Sequence, residues 1–171
     1  MATIALQSAK CVKTISGNSP QTMIYPEAAG TQAFKLGEFV YLVDGKVTEI
    51  GSDPAIILGI AAQDAAGVTD TPIAVYLANE DNIFELNKVS NLGGAGTGGT
   101  AVVTAVTDVG KILSIYRDTT HNIANAGLNT ATGGAERLLC IGLSEKDVVG
   151  DTGGRLLCMV LGRNRQLFST S

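Results

Sequence analysis

Residues 56–79 read IILGIAAQDAAGVTDTPIAVYLAN. The stretch is an apolar strand, a loop of small residues and a second apolar strand. In that second strand Ile73, Val75 and Leu77 share one face, and Ala74, Tyr76 and Ala78 share the other, because side chains alternate along a strand. The unit occurs twice. Displaced by eighty-three positions without a gap, Gly59 falls on Gly142, Asp64 on Asp147, Gly67 on Gly150 and Thr69 on Thr152. The apolar positions follow: Ile57 on Cys140, Ile60 on Leu143, Ile73 on Leu156, Val75 on Cys158 and Leu77 on Val160. A duplicated strand–loop–strand unit predicts a mainly β fold, a small β-barrel or β-sandwich with internal pseudo-symmetry.

Upstream of the first unit lies the clearest local signal. Glu38-Phe39-Val40-Tyr41-Leu42-Val43 is dense in β-formers, and Asp44-Gly45 separates it from Lys46-Val47-Thr48-Glu49-Ile50. Asp-Gly between such runs predicts a two-residue hairpin turn, which needs positive φ at both central residues. Lys35-Leu36-Gly37-Glu38 before this hairpin is echoed by Asp108-Val109-Gly110-Lys111 before Ile112–Tyr116, so the repeat extends upstream with a changed spacing. Residues 117–135, rich in Thr, Asn, Ala and Gly, read as a long loop. Residues 144–147 and 61–66 each read as a single helical turn. No long amphipathic helix is expected.

Residues 1–33 carry Gly17, Pro20, Pro26 and Gly30 among scattered apolar residues. They read as an extended N-terminal arm outside the central core, and residues 34–171 as a single β domain. Ile4, Leu6, Met23, Ile24 and Tyr25 are too apolar for a purely solvated tail. With Lys10 and Lys13 they form the arm's expected contact residues.

Composition sets the outer limits. A chain of 171 residues suits one domain that buries about two thirds of its unfolded surface. Charged residues make only 16% and aromatics 5%, with no Trp, so the core rests on aliphatic side chains and few charges keep copies apart. The net charge of −4 argues against a nucleic-acid partner, since phosphate contacts use clustered Lys and Arg. No apolar run approaches the ~20 residues of a membrane helix, and Met1 to Val12 does not resemble a signal peptide. No membrane partner is expected. Cys11, Cys140 and Cys158 are odd in number and lack a CxxC spacing. They read as buried free thiols rather than a disulfide framework or zinc site.

The search for chemistry is short. The single histidine, His121, lies in a polar Thr-Thr-His-Asn loop without a nucleophile context. Gly94, Gly96 and Gly99 match G-x-G-x-x-G, but Thr100–Thr104 is β-like and the strand–helix flanks that give the motif meaning are missing. The loop acids Asp64, Asp70, Glu80, Asp81, Asp147 and Asp151 match no EF-hand. No catalytic residue, cofactor or metal is expected. Arg137, Arg155, Arg163 and Arg165 flank the repeated strands and are candidates for contact with an acidic partner surface, with Arg155, Arg163 and Arg165 the expected contact residues; their other reading is ordinary strand-end charge.

One resemblance emerges from these residues. Phe34, Gly37, Phe39 and Tyr41, the Asp44-Gly45 turn, Ile57 to Ala61, then Val75, Tyr76, Ala78, Asp81, Asn82 and Phe84 form a pattern. Gly110-Lys111 and Cys140-Ile141-Gly142-Leu143 continue it. Over residues 34–163 the chain resembles the head decoration, or cement, proteins of tailed bacteriophages. The resemblance implies a small β-barrel or β-sandwich with an extended arm, bound outside an icosahedral shell. Its implied partners are the major capsid protein and further copies of itself, a homotrimer first and a homodimer second. It implies no catalytic residues, synthesis in the host cytoplasm and a final place on the virion exterior. The alternatives from the residues are another virion structural part, a tail-tube or fibre-associated β protein, or a small-ligand-binding domain.

Overall fold

The computed structural model describes residues 1–30, 32–51, 54–90, 100–119, 123–128 and 136–167. Among the described residues, eleven strands form two sheets: β1 (Lys10–Thr14), β2 (Thr22–Pro26), β3 (Phe39–Val43), β4 (Lys46–Glu49), β5 (Gly59–Ala61), β6 (Pro72–Leu77), β7 (Asn82–Ser90), β8 (Ile112–Asp118), β9 (Ile123–Leu128), β10 (Leu138–Leu143) and β11 (Arg155–Val160). The first sheet runs β2-β6-β5-β3-β4 and the second β1-β7-β11-β10-β8-β9. In the second sheet β9 returns to pair in parallel with β7 through Lys88–Ala126, Val89–Gly127 and Ser90–Leu128. That pairing closes a five-stranded barrel, with β1 added to the other half of β7. The fold is mainly β, a small barrel with a second sheet, as the duplicated unit predicts.

Apart from β1, the two sheets have one strand order: β2, β6, β5, β3 and β4 correspond in turn to β7, β11, β10, β8 and β9. The registers agree as well. Val40 pairs with Gly59 and Gly59 with Leu77; in the second barrel Leu113 pairs with Leu138 and Leu138 with Val160. The Gly37 N–H donates to the Ala61 carbonyl, and the Gly110 N–H to the Cys140 carbonyl, each at positive φ. Glu27 forms a parallel bridge with Val47, where Lys88 pairs in parallel with Ala126. With the Ala28 N–H donated to the Val47 carbonyl at 2.9 Å, that bridge pins the first sheet into a barrel of its own. The repeat is thus a whole five-stranded barrel, not one strand–loop–strand unit.

This equivalence refines the ungapped match. Val75 with Cys158 and Leu77 with Val160 hold, but Gly59 corresponds to Leu138, not to Gly142. The chain between Ala61 and β6 has a longer counterpart after Cys140, and a bulge interrupts β10 between Cys140 and Gly142. A bulge adds a residue to one strand and shifts all that follows. A Cβ at Gly59 would overlap the Tyr76 carbonyl oxygen, whereas one at Gly142 would meet only the Leu157 side chain at 3.6 Å.

The Asp-Gly hairpin forms as expected, with φ of 50° at Asp44 and 78° at Gly45. Three other expectations are corrected. Residues 1–33 do not form an arm outside the core: β1 pairs with β7 and β2 with β6, so both sheets use this segment. The long loop expected over residues 117–135 contains the end of β8 and all of β9. Residues 144–147 turn without forming a helix, and no α-helix occurs among the described residues.

The interiors follow strand alternation. Val40, Val47, Leu58, Ile73, Val75 and Leu77 fill the first barrel. Leu86, Leu113, Ile115, Ala126, Cys140, Leu156, Cys158 and Val160 fill the second, in a cluster that continues into Phe39, Ile57 and Ile60 of the first. Phe39 and Phe84 meet edge to face across the two barrels, with centroids 6.0 Å apart and planes at 72°, a favoured aromatic geometry.

Candidate interaction surfaces

The expected contact residues of the N-terminal segment divide between the two barrels. Ile4 and Leu6 are half-buried; the Ile4 N–H donates to the Thr152 carbonyl at 2.8 Å. Lys10 is exposed on β1, and Lys13 reaches Glu145 at 4.0 Å. These four residues lie along the second barrel. Met23, Ile24 and Tyr25 belong to β2 of the first, where Tyr25 packs against the core and Ile24 is 69% exposed. The structure therefore does not bring all seven together.

The arginines are also separate. Arg155 donates Nε and Nη2 to the Asp147 carboxylate at 2.9 and 2.5 Å, and Nη1 lies 3.5 Å from Glu85. The Arg155 hydrogen bond is the main reason that the Asp147 carboxyl sits below the ordinary carboxylate range. Arg165 is buried; its Nε donates to the Val160 carbonyl at 2.9 Å, and Nη1 lies 3.7 Å from Glu80. Both guanidinium groups bind the chain to itself. Arg163 remains largely exposed, with Glu136 at 3.5 Å.

Other charges hold turns and strands. Asp64 accepts from the Leu36 N–H at 2.9 Å and from Lys35 Nζ at 3.0 Å, and these bonds lower its pKa. Buried Glu85 accepts from the Ser144 hydroxyl at 2.6 Å and from Lys146 at 3.2 Å. Lys88 and Asp108 form a buried pair at 2.7 Å, joined by Lys111 at 3.0 Å. Desolvation alone would raise the Asp108 pKa; the bonds from Lys88, the Ala105 N–H and Lys111 outweigh it and hold the carboxyl low. A buried charge persists when paired in this way.

A groove between β1 and the first barrel is lined by Ala9, Cys11, Leu36, Ile60 and Tyr76. Burial pushes the Cys11 thiol up to about 12, so it is almost wholly protonated at neutral pH and a poor nucleophile. Among the described residues, no group of three His, Cys, Asp or Glu is placed to hold a metal ion, and no helix is long and apolar enough to cross a membrane. His121 and the glycines of the G-x-G-x-x-G match lie outside the described residues.

The outer edge of β2 carries the exposed apolar side chains of Met23 and Ile24. Along the β2–β6 ladder the Gln21 carbonyl accepts from Leu77 and the Glu27 N–H donates to Thr71. Residues 21, 23, 25 and 27 therefore turn their main-chain groups toward β6, and Thr22 and Ile24 turn theirs away, by the alternation of an antiparallel ladder. Comparison with known proteins finds no matching family model, curated protein or solved structure. The β2 edge was hidden in the sequence. Apolar character marked Met23 and Ile24, but only the ladder reveals which main-chain groups face outward.

Proposed function

We propose that this chain is a capsid decoration protein of a tailed bacteriophage. It binds the major capsid protein on the outer surface of an icosahedral head and stabilises the shell, without carrying out a reaction. It works beside other copies of itself, on the virion exterior, with neither nucleic acid nor membrane as partner. The residue pattern over 34–163 supports this reading, and the small barrel architecture fits it. The observation that carries it furthest is the division of the surface. Glu85, Lys88, Asp108, Asp147 and Arg155 are paired within the chain, while Met23 and Ile24 stand exposed on the β2 edge at 44% and 69%. An uncharged edge with exposed apolar side chains suits main-chain pairing between neighbouring copies on the shell. Repetition around a shell turns modest single contacts into tight binding.

The test is electron microscopy of the purified full chain mixed with expanded heads stripped of external proteins. Regular added density at symmetry-related positions on the outer surface is the expected result. Bare shells at saturating protein, with the chain still folded, would sink the proposal. Rings or tubes formed by the protein alone would instead favour a tail component. Deleting residues 1–25 is not a usable test, because it removes β1 and most of β2 from the two sheets.

A further inference from the structure

The duplicated barrel shows what one of its own edges lacks. β7 has two uses. Its Lys88–Ser90 half closes the second barrel against β9, and its Asn82–Glu85 half is covered by β1. β2 corresponds to β7: Met23 pairs with Val75 where Phe84 pairs with Cys158. In the first barrel the closing bridge is present, Glu27 to Val47. The covering strand is not: among the described residues no strand pairs with the outer edge of Thr22–Ile24. The side chains record the difference. Phe84 is fully buried, whereas its counterpart Met23 is 44% exposed.

We propose that this edge is covered by the same edge of a second copy of the chain, giving a two-fold dimer through antiparallel β2–β2 pairing. Three features select that occupant. First, the outward main-chain groups belong to Thr22 and Ile24. Pairing Thr22 with Ile24 of the second copy, and Ile24 with its Thr22, makes four N–H···O bonds centred on a Met23–Met23 pair. Second, Pro20 and Pro26 bound the edge. A covering strand is thus limited to the short length that a self-complementary pairing needs. Third, residues 14–26 contain no charged side chain. Edge strands commonly carry Lys or Glu to keep copies apart; here two copies can approach without like-charge repulsion. The inference does not rest on the shell-binding proposal, since it concerns the free protein.

The experiment is sedimentation equilibrium of the full chain across the micromolar range, beside Ile24→Pro and Met23→Cys variants. The outward N–H of Ile24 makes no intramolecular ladder bond, so proline removes two of the four intermolecular bonds while the barrel still folds. The expected result is a wild-type dimer, with association weakened at least tenfold, by about that factor or more, in Ile24→Pro. Met23→Cys, oxidised with diamide, is expected to run as a covalent dimer on non-reducing gels, because the central non-hydrogen-bonded pair brings the two Cβ atoms close. The wild type, with its native thiols, is not. If Ile24→Pro fails to fold by circular dichroism, the Met23→Cys cross-link decides. A wild-type monomer throughout the range, a trimer, or a dimer that cross-links no better than wild type would overturn the proposal.

Discussion

Glu27 and Lys88 occupy the same position in the two barrels, and each is buried with its charge answered locally. Glu27 accepts from the Ala66 and Gly67 N–H groups at 2.9 and 2.8 Å. Lys88 donates to Asp108 at 2.7 Å and to the Val103 carbonyl at 2.8 Å. The duplicated backbone fixes the place where each barrel closes, and opposite charges meet the same need there with different partners. Removing Lys88 alone strands Asp108 in a buried setting with only Lys111 and the Ala105 N–H. Lys88→Met is expected to cost about 3 kcal/mol, the scale for breaking one side of a buried pair. Urea unfolding measures it; a loss under about 1 kcal/mol would show that the pair is not structural.

The same pair sets an acid limit. The Asp108 carboxyl titrates lower in the folded chain than in the unfolded one. Its stabilisation is therefore fully present above the unfolded carboxylate value, about 4, and is lost as pH falls through the folded value. Asp147, held low chiefly by Arg155, acts in the same direction. Asp108→Asn is expected to be destabilised at pH 7 and to converge toward wild type as pH drops below about 4. Thermal midpoints measured between these limits give the check. A constant difference across the range would remove Asp108 from the acid response.

Much of this architecture was legible, and the reasons are local. Asp44-Gly45 marked its hairpin because few residues accept positive φ at two successive positions. The β6 and β11 repeat was visible because Ile73, Val75 and Leu77 match Leu156, Cys158 and Val160 without a gap. The rest of the duplication was obscured by connections of different length, so that Gly37 and Gly110 match at another spacing. β9, Ile-Ala-Asn-Ala-Gly-Leu, has too few β-branched residues to signal a strand. β1 places Lys10 and Lys13 on an exposed strand edge, which reads as polar linker. Arg155 and Arg165 looked available for a partner because sequence shows a charge but not Asp147 or the Val160 carbonyl beside it.

Gly59 and Gly142 align in sequence but differ in structure, and this separates their tolerance to a methyl group. Gly59→Ala forces a Cβ into the Tyr76 carbonyl oxygen, a backbone atom that cannot turn aside. A loss of about 2–4 kcal/mol is expected, as for other overpacked sites. Gly142→Ala meets only the Leu157 side chain at ordinary contact distance and is expected to change stability by less than about 1 kcal/mol. Paired chemical denaturation of the two variants checks the register: equal effects would contradict the assignment of Leu138, not Gly142, as the counterpart of Gly59.

The thiols give an independent view of burial. Cys140 and Cys158 are directly paired across β10 and β11, both fully buried. The bond with Cys140, together with burial, pushes the Cys158 thiol well up. Cys11 is raised to about 12 by burial. Only the thiolate reacts readily, so Cys11 and Cys158 are held unreactive. The Cys158 bond instead lowers the Cys140 thiol, but Cys140 has no exposed surface. All three should label slowly with a thiol reagent at pH 8 in the native chain and rapidly after denaturation. A single fast-reacting thiol in the native protein would identify a site more open than this packing allows.

Arg117 tests whether the barrels are coupled in energy as well as in contact. It lies on β8 of the second barrel, and its Nε donates to Glu38 Oε1 at 2.8 Å beside β3 of the first. Its Nη2 reaches Glu49 of β4 at 3.4 Å. Glu38 is buried and also accepts the Lys35 N–H at 2.7 Å, so it retains one partner when the guanidinium is removed. Arg117→Met is expected to cost about 2–3 kcal/mol, less than a carboxylate left wholly unpaired. Adding Glu38→Gln should then cost less than it does in the wild type, because the amide no longer buries an uncompensated charge. A double-mutant cycle isolates that term. Strict additivity would mean that the bridge contributes nothing and that Phe39, Phe84 and the shared aliphatic core hold the barrels together without it.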